Sequence, residues 1–162
     1  MHSRPSRDEV LMANAIDWSM RSTCDRAHVG CVVSRDSRVL VTGYNGAPAG
    51  MPHCTHECDC RIPLGLEHRH DCASQQPCLL VVHAEANAIA FAARHGAKLD
   101  GAEMHTTRMP CNACAQLIIN AGIQRVAYLH PHRENKGMTL LMDAGVEVLQ
   151  VDPPRFAARA MP

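Results

Sequence analysis

The sequence predicts an α/β domain: a mixed five-stranded sheet with helices on both faces. Three observations carry this. Two β-branched runs, 29–33 and 39–43, flank Ser34-Arg35-Asp36-Ser37-Arg38 and read as an antiparallel hairpin. Beyond residue 83, helical apolar periods alternate with short β runs. Such strand–helix–strand connections imply parallel pairing through right-handed crossovers. The 162 residues suit a single domain over 1–162, and 46% hydrophobic with 20% charged residues is ordinary for a globular chain.

Taken in order, Ser6 followed by Glu9 is a capping-box signature. Val10, Leu11, Ala13, Ile16 and Met20 then follow a mostly helical spacing, predicting a helix over about 7–21. The hairpin comes next. From 46 to about 78 the chain is rich in Pro, Gly, Cys and His without a sustained period. A loop of about thirty residues is uncommon in a compact domain unless it is functional or stapled by metal. Residues 84–95 form an Ala-rich helix with Glu85 in its first turn, Arg94 and His95 in its last, and Gly96 as terminator. A strand is predicted over 103–107, then a helix opened by Pro110 and closed by Gly122. A strand at 126–129, a helix at about 137–144 and a strand at 146–151 complete the order. The tail beyond Pro154 reads as irregular or weakly helical.

Charge and composition exclude several function classes. Lys plus Arg equal Asp plus Glu at 16 each, so the formal net charge is zero. No global field draws such a chain onto a phosphate backbone or an anionic membrane. Aromatic residues make up 3% of the chain, too few for a platform stacking many bases. No apolar run approaches the roughly 20 residues of a membrane span, and Met1-His2-Ser3-Arg4-Pro5 lacks an apolar signal core. The expectation is a cytoplasmic protein with neither a nucleic-acid nor a membrane partner. Against this plain background stand 9 Cys and 11 His. An odd cysteine count without an export signal fits a disulfide framework poorly, whereas thiols at short spacings beside imidazoles point to zinc.

Two strings carry chemistry: His83-Ala84-Glu85 and Pro110-Cys111-Asn112-Ala113-Cys114. Each opens a predicted helix. Cys111 and Cys114 are three apart, so both sulfurs lie on one face of a first turn, where unpaired N–H groups and the helix dipole favour thiolate. His83 can supply a third ligand, leaving one tetrahedral position open for water, the mark of a catalytic site. Two thiolates offset the ion's charge, so the water needs a nearby base. Glu85 can take its proton and return protons to a ring nitrogen and a departing amine. His-x-Glu followed by Pro-Cys-x-x-Cys is the signature of hydrolytic zinc deaminases. The competing reading is a closed four-ligand zinc knuckle in which another Cys joins His83, Cys111 and Cys114, and Glu85 merely caps its helix.

The likeness extends further. Ser22-Thr23-Cys24, Val29-Gly30, the block Gly43-Tyr44-Asn45-Gly46-Ala47-Pro48-Ala49-Gly50, His53-Cys54 and His83-Ala84-Glu85-Ala86-Asn87-Ala88-Ile89 resemble the deoxycytidylate (dCMP) deaminase family over about residues 7–150. The resemblance implies a three-layer α/β/α cytidine-deaminase-like fold and hydrolysis of dCMP to dUMP and ammonia, serving thymidylate supply. It also implies a homohexamer with dCTP and dTTP as effectors, a triphosphate effector bringing Mg2+. Carried over by position, Asn45 contacts the sugar or base, and Ala84 joins the substrate contacts. Arg26 faces nucleotide phosphate, either in the active site or in a regulatory one, and His132-Arg133 occupy a substrate loop where relatives often carry Tyr-Arg. For Arg26, Arg133 and Lys136 a solvated surface charge is an equal alternative; for Asn45 the alternative is a turn residue between glycines. Some relatives hold a structural zinc at positions matching Cys24 and Cys54; Cys72 and Cys78 complete the expected set here, with Cys58, Cys60 and His70 as substitutes. A variant accepting dCTP or 5-substituted dCMP, a nucleic-acid base deaminase, and an inactive zinc-binding scaffold or DNA-uptake accessory are the competing functions. Cys31 reads as core; His95, His105 and His130 read as surface or capping residues.

Overall fold

Ser6 starts the first helix as its spacing with Glu9 requires. The Glu9 N–H donates to the Ser6 hydroxyl at 3.1 Å, and the Ser6 N–H donates to the Glu9 carboxylate at 2.8 Å. This helix, α1 (Arg7–Ser19), buries Leu11, Met12 and Ala15. The structure is a computed structural model and describes residues 4–24, 27–51, 53, 59–61, 67–69 and 81–155. Arg26, Cys54, Cys72 and Cys78, the substitutes Cys58 and His70, and the tail from 156 onward lie outside the described residues.

The hairpin is β1 (Gly30–Arg35) and β2 (Arg38–Tyr44). Its turn is tighter than the five-residue separator in the sequence: only Asp36 and Ser37 turn, with φ of 52° and 63°. Positive φ at both central residues gives the twist that two-residue hairpin loops need, and Asp tolerates it. Within the span expected to be loop, β3 (Asp59–Arg61) and β4 (Glu67–Arg69) pair as a small antiparallel ribbon. Three-residue strands are too short to show a period.

Then come α2 (Ala84–His95), β5 (Glu103–Arg108), α3 (Asn112–Asn120), β6 (Arg125–His130), α4 (Lys136–Asp143) and β7 (Glu147–Gln150). Gly96 ends α2 in the left-handed region at φ 71°. Pro110 does not open α3; Cys111 is the N-cap, with Pro110 one residue outside. The sheet order is β2-β1-β5-β6-β7, antiparallel up to β5 and parallel from β5 to β7. It is the mixed five-stranded sheet expected from the hairpin and the alternating segments.

Strand alternation divides the core into two faces. Cys31, Val33, Met104, Val126 and Tyr128 point toward α2, α3 and α4, where Ala88, Ile118 and Leu141 meet them. Val32 and Leu129 point the other way, against Leu11, Met12 and Ala15 of α1. Each fully buried Ile, Leu or Met contributes roughly 1.5–3 kcal/mol relative to exposure. His105 also lies on the α1 side and is completely buried, contrary to the surface role expected of it. A central strand covered on both faces hides its polar positions as well as its apolar ones.

This layering sets the site. The first turn of α2 lies against β1 and β2, and the β5–α3 junction falls at the carboxyl end of a parallel strand. Ligands in open α/β sheets bind outside those ends.

Candidate active site

Both ligand-bearing helices begin in the same unusual way. His83 is the N-cap of α2 and Cys111 the N-cap of α3, with extended backbones (ψ 153° and 172°) and no side-chain capping bond in either. An N-cap side chain ordinarily turns back to satisfy an amide of its own first turn. Here the two side chains turn toward each other. His83 Nδ1 lies 3.4 Å from Cys111 Sγ and 3.4 Å from Cys114 Sγ. Cys114 comes from the first turn of α3, on the face its three-residue spacing predicts, and is buried.

The donor set fits zinc. Zn–S near 2.3 Å and Zn–N near 2.0–2.1 Å at tetrahedral angles require N–S edges of about 3.5 Å, matching the observed separations. Among the described residues, no further His, Cys, Asp or Glu joins the His83–Cys111–Cys114 group. Electrostatics agree. The Cys111 thiol is pulled down to about 3, chiefly by a hydrogen bond from Cys114 and then by one from His83. Cys114 is pushed up because it donates that bond and is buried, and His83 is raised chiefly by its bond with Cys111. The trio thus concentrates negative charge on a sulfur at a helix N-terminus, a setting made for a soft cation.

Glu85 sits in the first turn of α2, 4% exposed, with Oε2 3.6 Å from Cys114 Sγ. Burial is the main cause that raises its pKa. Its neighbour Ala84 is held from below: the Cys31 thiol, kept protonated by burial, donates to the Ala84 carbonyl at 3.2 Å. Asn87, one turn along, donates to the Tyr44 carbonyl at 2.8 Å, tying α2 to the end of β2.

These groups open into a cleft of about 940 Å³. The structure brings His83, Ala84, Glu85, Cys111, Asn45, His132, Arg133 and Cys24 together on its walls. Asn45 is buried with its amide already engaged: Oδ1 accepts from the Val29 N–H at 2.8 Å and Nδ2 donates to the Ala27 carbonyl at 2.7 Å. It therefore shapes the 27–29 wall, with one N–H and one lone pair left for a ligand. His132 Nδ1 accepts from the Glu134 N–H at 3.1 Å, which turns the loop around it. Cys24 is buried, while Cys54, Cys72 and Cys78, its expected companions, lie outside the described residues.

Sequence reasoning missed Arg108. It is exposed at the carboxyl end of β5 and lines the cleft with Arg133 and Lys136, the last paired with Glu134 at 3.4 Å on the same rim. A lone Arg has no pattern to betray it. The available signal was its place three residues before Cys111, at the end of a predicted strand.

A buried carboxylate beside a His/Cys/Cys donor set, at the carboxyl ends of a mixed sheet between helix layers, defines a zinc-dependent hydrolytic deaminase. Comparison with known proteins agrees. Residues 5–130 match the family described as cytidine and deoxycytidylate deaminase zinc-binding region. The deoxycytidylate deaminase of Mycobacterium phage D29 is 44% identical over 126 residues, covering 78% of this chain and 96% of that one. ComE operon protein 2 of Bacillus subtilis is 37% identical over 150 residues, covering 92% and 73%. Among solved structures, the dCMP deaminase of cyanophage S-TIM5 in complex with dCMP and dUMP superposes with a TM-score of 0.76 at 30% identity, covering 93% of this chain and all of that one. The chain belongs to the cytidine and deoxycytidylate deaminase family. Among the described residues, no helix is long and apolar enough to cross a membrane.

Proposed function

We propose that this chain deaminates dCMP to dUMP and ammonia. The observation that carries the reading is the His83–Cys111–Cys114 cluster with buried Glu85 beside it, opening into a cleft rimmed by cations. His83, Cys111 and Cys114 would hold zinc. When bound, zinc supplies a Lewis acid that lowers the pKa of a water ligand.

The remaining steps belong to side chains. Glu85 takes one proton from the attacking water and delivers it to the ring nitrogen, then takes the second from the added hydroxyl and passes it to the departing amino group. Ala84 offers the cleft its backbone N–H, one of the first-turn amides without an intrahelical acceptor. Asn45 holds the wall against which the sugar and base lie. Lys136 is paired with Glu134 at 3.4 Å, but with Arg108 and Arg133 beside it the cleft keeps more cations than anions on this rim, which favours a nucleotide over a nucleoside. Neutral overall charge argues against a polynucleotide substrate.

The wider reading follows the family: a homohexamer, dCTP and dTTP effectors with Mg2+, and a second, structural zinc on Cys24, Cys54, Cys72 and Cys78. Metal content per chain tests the last of these, because Cys24→Ala should lose zinc while His83, Cys111 and Cys114 keep theirs.

Loss of ultraviolet absorbance and release of ammonia, followed with dCMP, dCTP, deoxycytidine and single-stranded DNA, decide the substrate class. Turnover of dCMP with little of the others is expected. Preferred turnover of single-stranded DNA would replace the reading with a nucleic-acid base deaminase. Arg108→Ala should raise KM for dCMP by about tenfold, the loss of one charge-assisted contact, and leave deoxycytidine turnover unchanged.

A further inference from the structure

Each of the two helix starts that carry the zinc donors is seated, through the backbone carbonyl beside the donor, on a glycine of a neighbouring element. Next to His83, the Ala84 carbonyl lies over Gly43 of β2. A Cβ built on Gly43 would lie well inside contact distance of that oxygen and 2.8 Å from the Ala88 nitrogen. Next to Cys111, the Pro110 carbonyl lies over Gly137 of α4. A Cβ there would overlap it and come within 2.9–3.0 Å of the Cys111 carbonyl group. The neighbours in both seats are backbone and cannot rotate away.

Neither glycine is explained by its own backbone. Both have ordinary φ, unlike the positive-φ Gly96 and Gly145, and Gly137 stands inside a helix where alanine is the better former. The first seat carries a donor as well. Cys31, directly across the ladder from Gly43, donates its thiol proton to the same Ala84 carbonyl at 3.2 Å. The second seat also fixes α4, whose Lys136 lines the cleft, against the Cys111 loop. Packed interiors do not deform smoothly, so the depth of each seat sets the separation between His83 Nδ1 and the two sulfurs.

We propose that Gly43 and Gly137, with Cys31 as hydrogen-bond donor, are positioning residues that set the spacing of the zinc donors and the placement of Glu85. The inference rests on the deaminase reading for its kinetic readout, and on zinc retention independently of that reading.

The experiment compares Gly137→Ala, Cys31→Ala and Cys31→Ser with Leu141→Ala, a core truncation of α4 away from the seat. Zinc release to a chelator, kcat and KM for dCMP, and thermal stability are measured on each. Gly137→Ala and Cys31→Ala are expected to release zinc faster and to lose kcat by about ten- to a hundredfold at nearly constant KM, as small misplacements do. Cys31→Ser, which keeps a donor, should recover most of the loss. Leu141→Ala should lower stability with zinc release and kcat close to the parent. Unchanged zinc release and kcat in Gly137→Ala and Cys31→Ala overturn the inference, as does a loss in Leu141→Ala equal to theirs. If the parent turns over no dCMP, the deaminase reading falls, and zinc release in the same variants still decides the seats. Gly43→Ala is measured for zinc release alongside them but is not decisive, because its Cβ would meet the α2 backbone at both Ala84 and Ala88.

Discussion

The two ends of the sheet carry similar residues arranged to opposite effect. At the carboxyl end of β5, His83, Cys111 and Cys114 converge. At its amino end, Asp8, Glu103 and His105 also come within ligand distance of one another. The second cluster is filled by its own cation. Arg125 takes both oxygens of Asp8 at 2.9 Å and Glu103 at 3.0 Å, while His105 Nε2 meets Asp8 at 2.8 Å. The guanidinium pulls Asp8 down to about 2. Proximity of donor atoms therefore does not make a metal site. What separates the two is whether the negative charge already has a fixed partner.

The contrast can be broken most forcefully at the cleft. Glu85→Gln should retain zinc and lose about 10²–10⁴ in kcat, the range of a general acid–base group; metal analysis beside steady-state rates checks both halves. Cys111→Ala should lose a single equivalent of zinc and essentially all activity. Asp8→Asn should leave zinc content where it was, and metal lost there would show the amino-end cluster to be a binding site after all.

The opposite end answers in stability. Arg125→Met leaves Asp8 and Glu103 half-buried without their cation and should cost about 2 kcal/mol in denaturant unfolding, with kcat unaffected. His105 gives a pH signature. Its ring is fully buried, Nε2 faces Asp8, and Nδ1 meets no hydrogen-bond partner among the described residues, so a second ring proton is disfavoured. Burial lowers its pKa below the ordinary 6.5. As pH falls through that value the unfolded chain takes up a proton the native chain refuses, and stability drops. Asp8 adds a second loss between its ordinary 3.8 and about 2, as the paired carboxylate is finally protonated. His105→Gln should remove the upper step and keep the lower. The smallest effect belongs to the far end of α2: Gly96→Ala, at φ 71°, should cost about 1 kcal/mol and leave the cleft untouched.

What the chain reveals in one dimension follows the range of the interactions. The Ser6–Glu9 cap, the hairpin and the Cys111–Cys114 pair are local, so spacing alone places them. The joining of His83 to that pair is not local, yet two donors at two helix starts leave few other ways to complete a tetrahedral set. Arg108 and His105 were illegible for a topological reason. Whether a polar residue of β5 faces a cleft or a covered layer depends on which strands flank it. Asn45 was half legible: the glycines around it announce a turn, but the engagement of its amide with residues 27 and 29 appears only once the hairpin is closed. The β3–β4 ribbon offers three residues a strand, below any periodic signal.

Giving both N-cap positions to donor residues has a consequence for how the protein matures. His83 opens α2 and Cys111 opens α3, so zinc held by these two residues and Cys114 would clasp two helices at once. Chain synthesised without it should carry a finished sheet beneath two looser helix starts, visible as faster amide exchange over residues 84–86 and 112–114, ahead of the first intrahelical bonds at Asn87 and Ala115. Metal supply would then act as a quality checkpoint: the same event that arms the chemistry also joins the two helix starts.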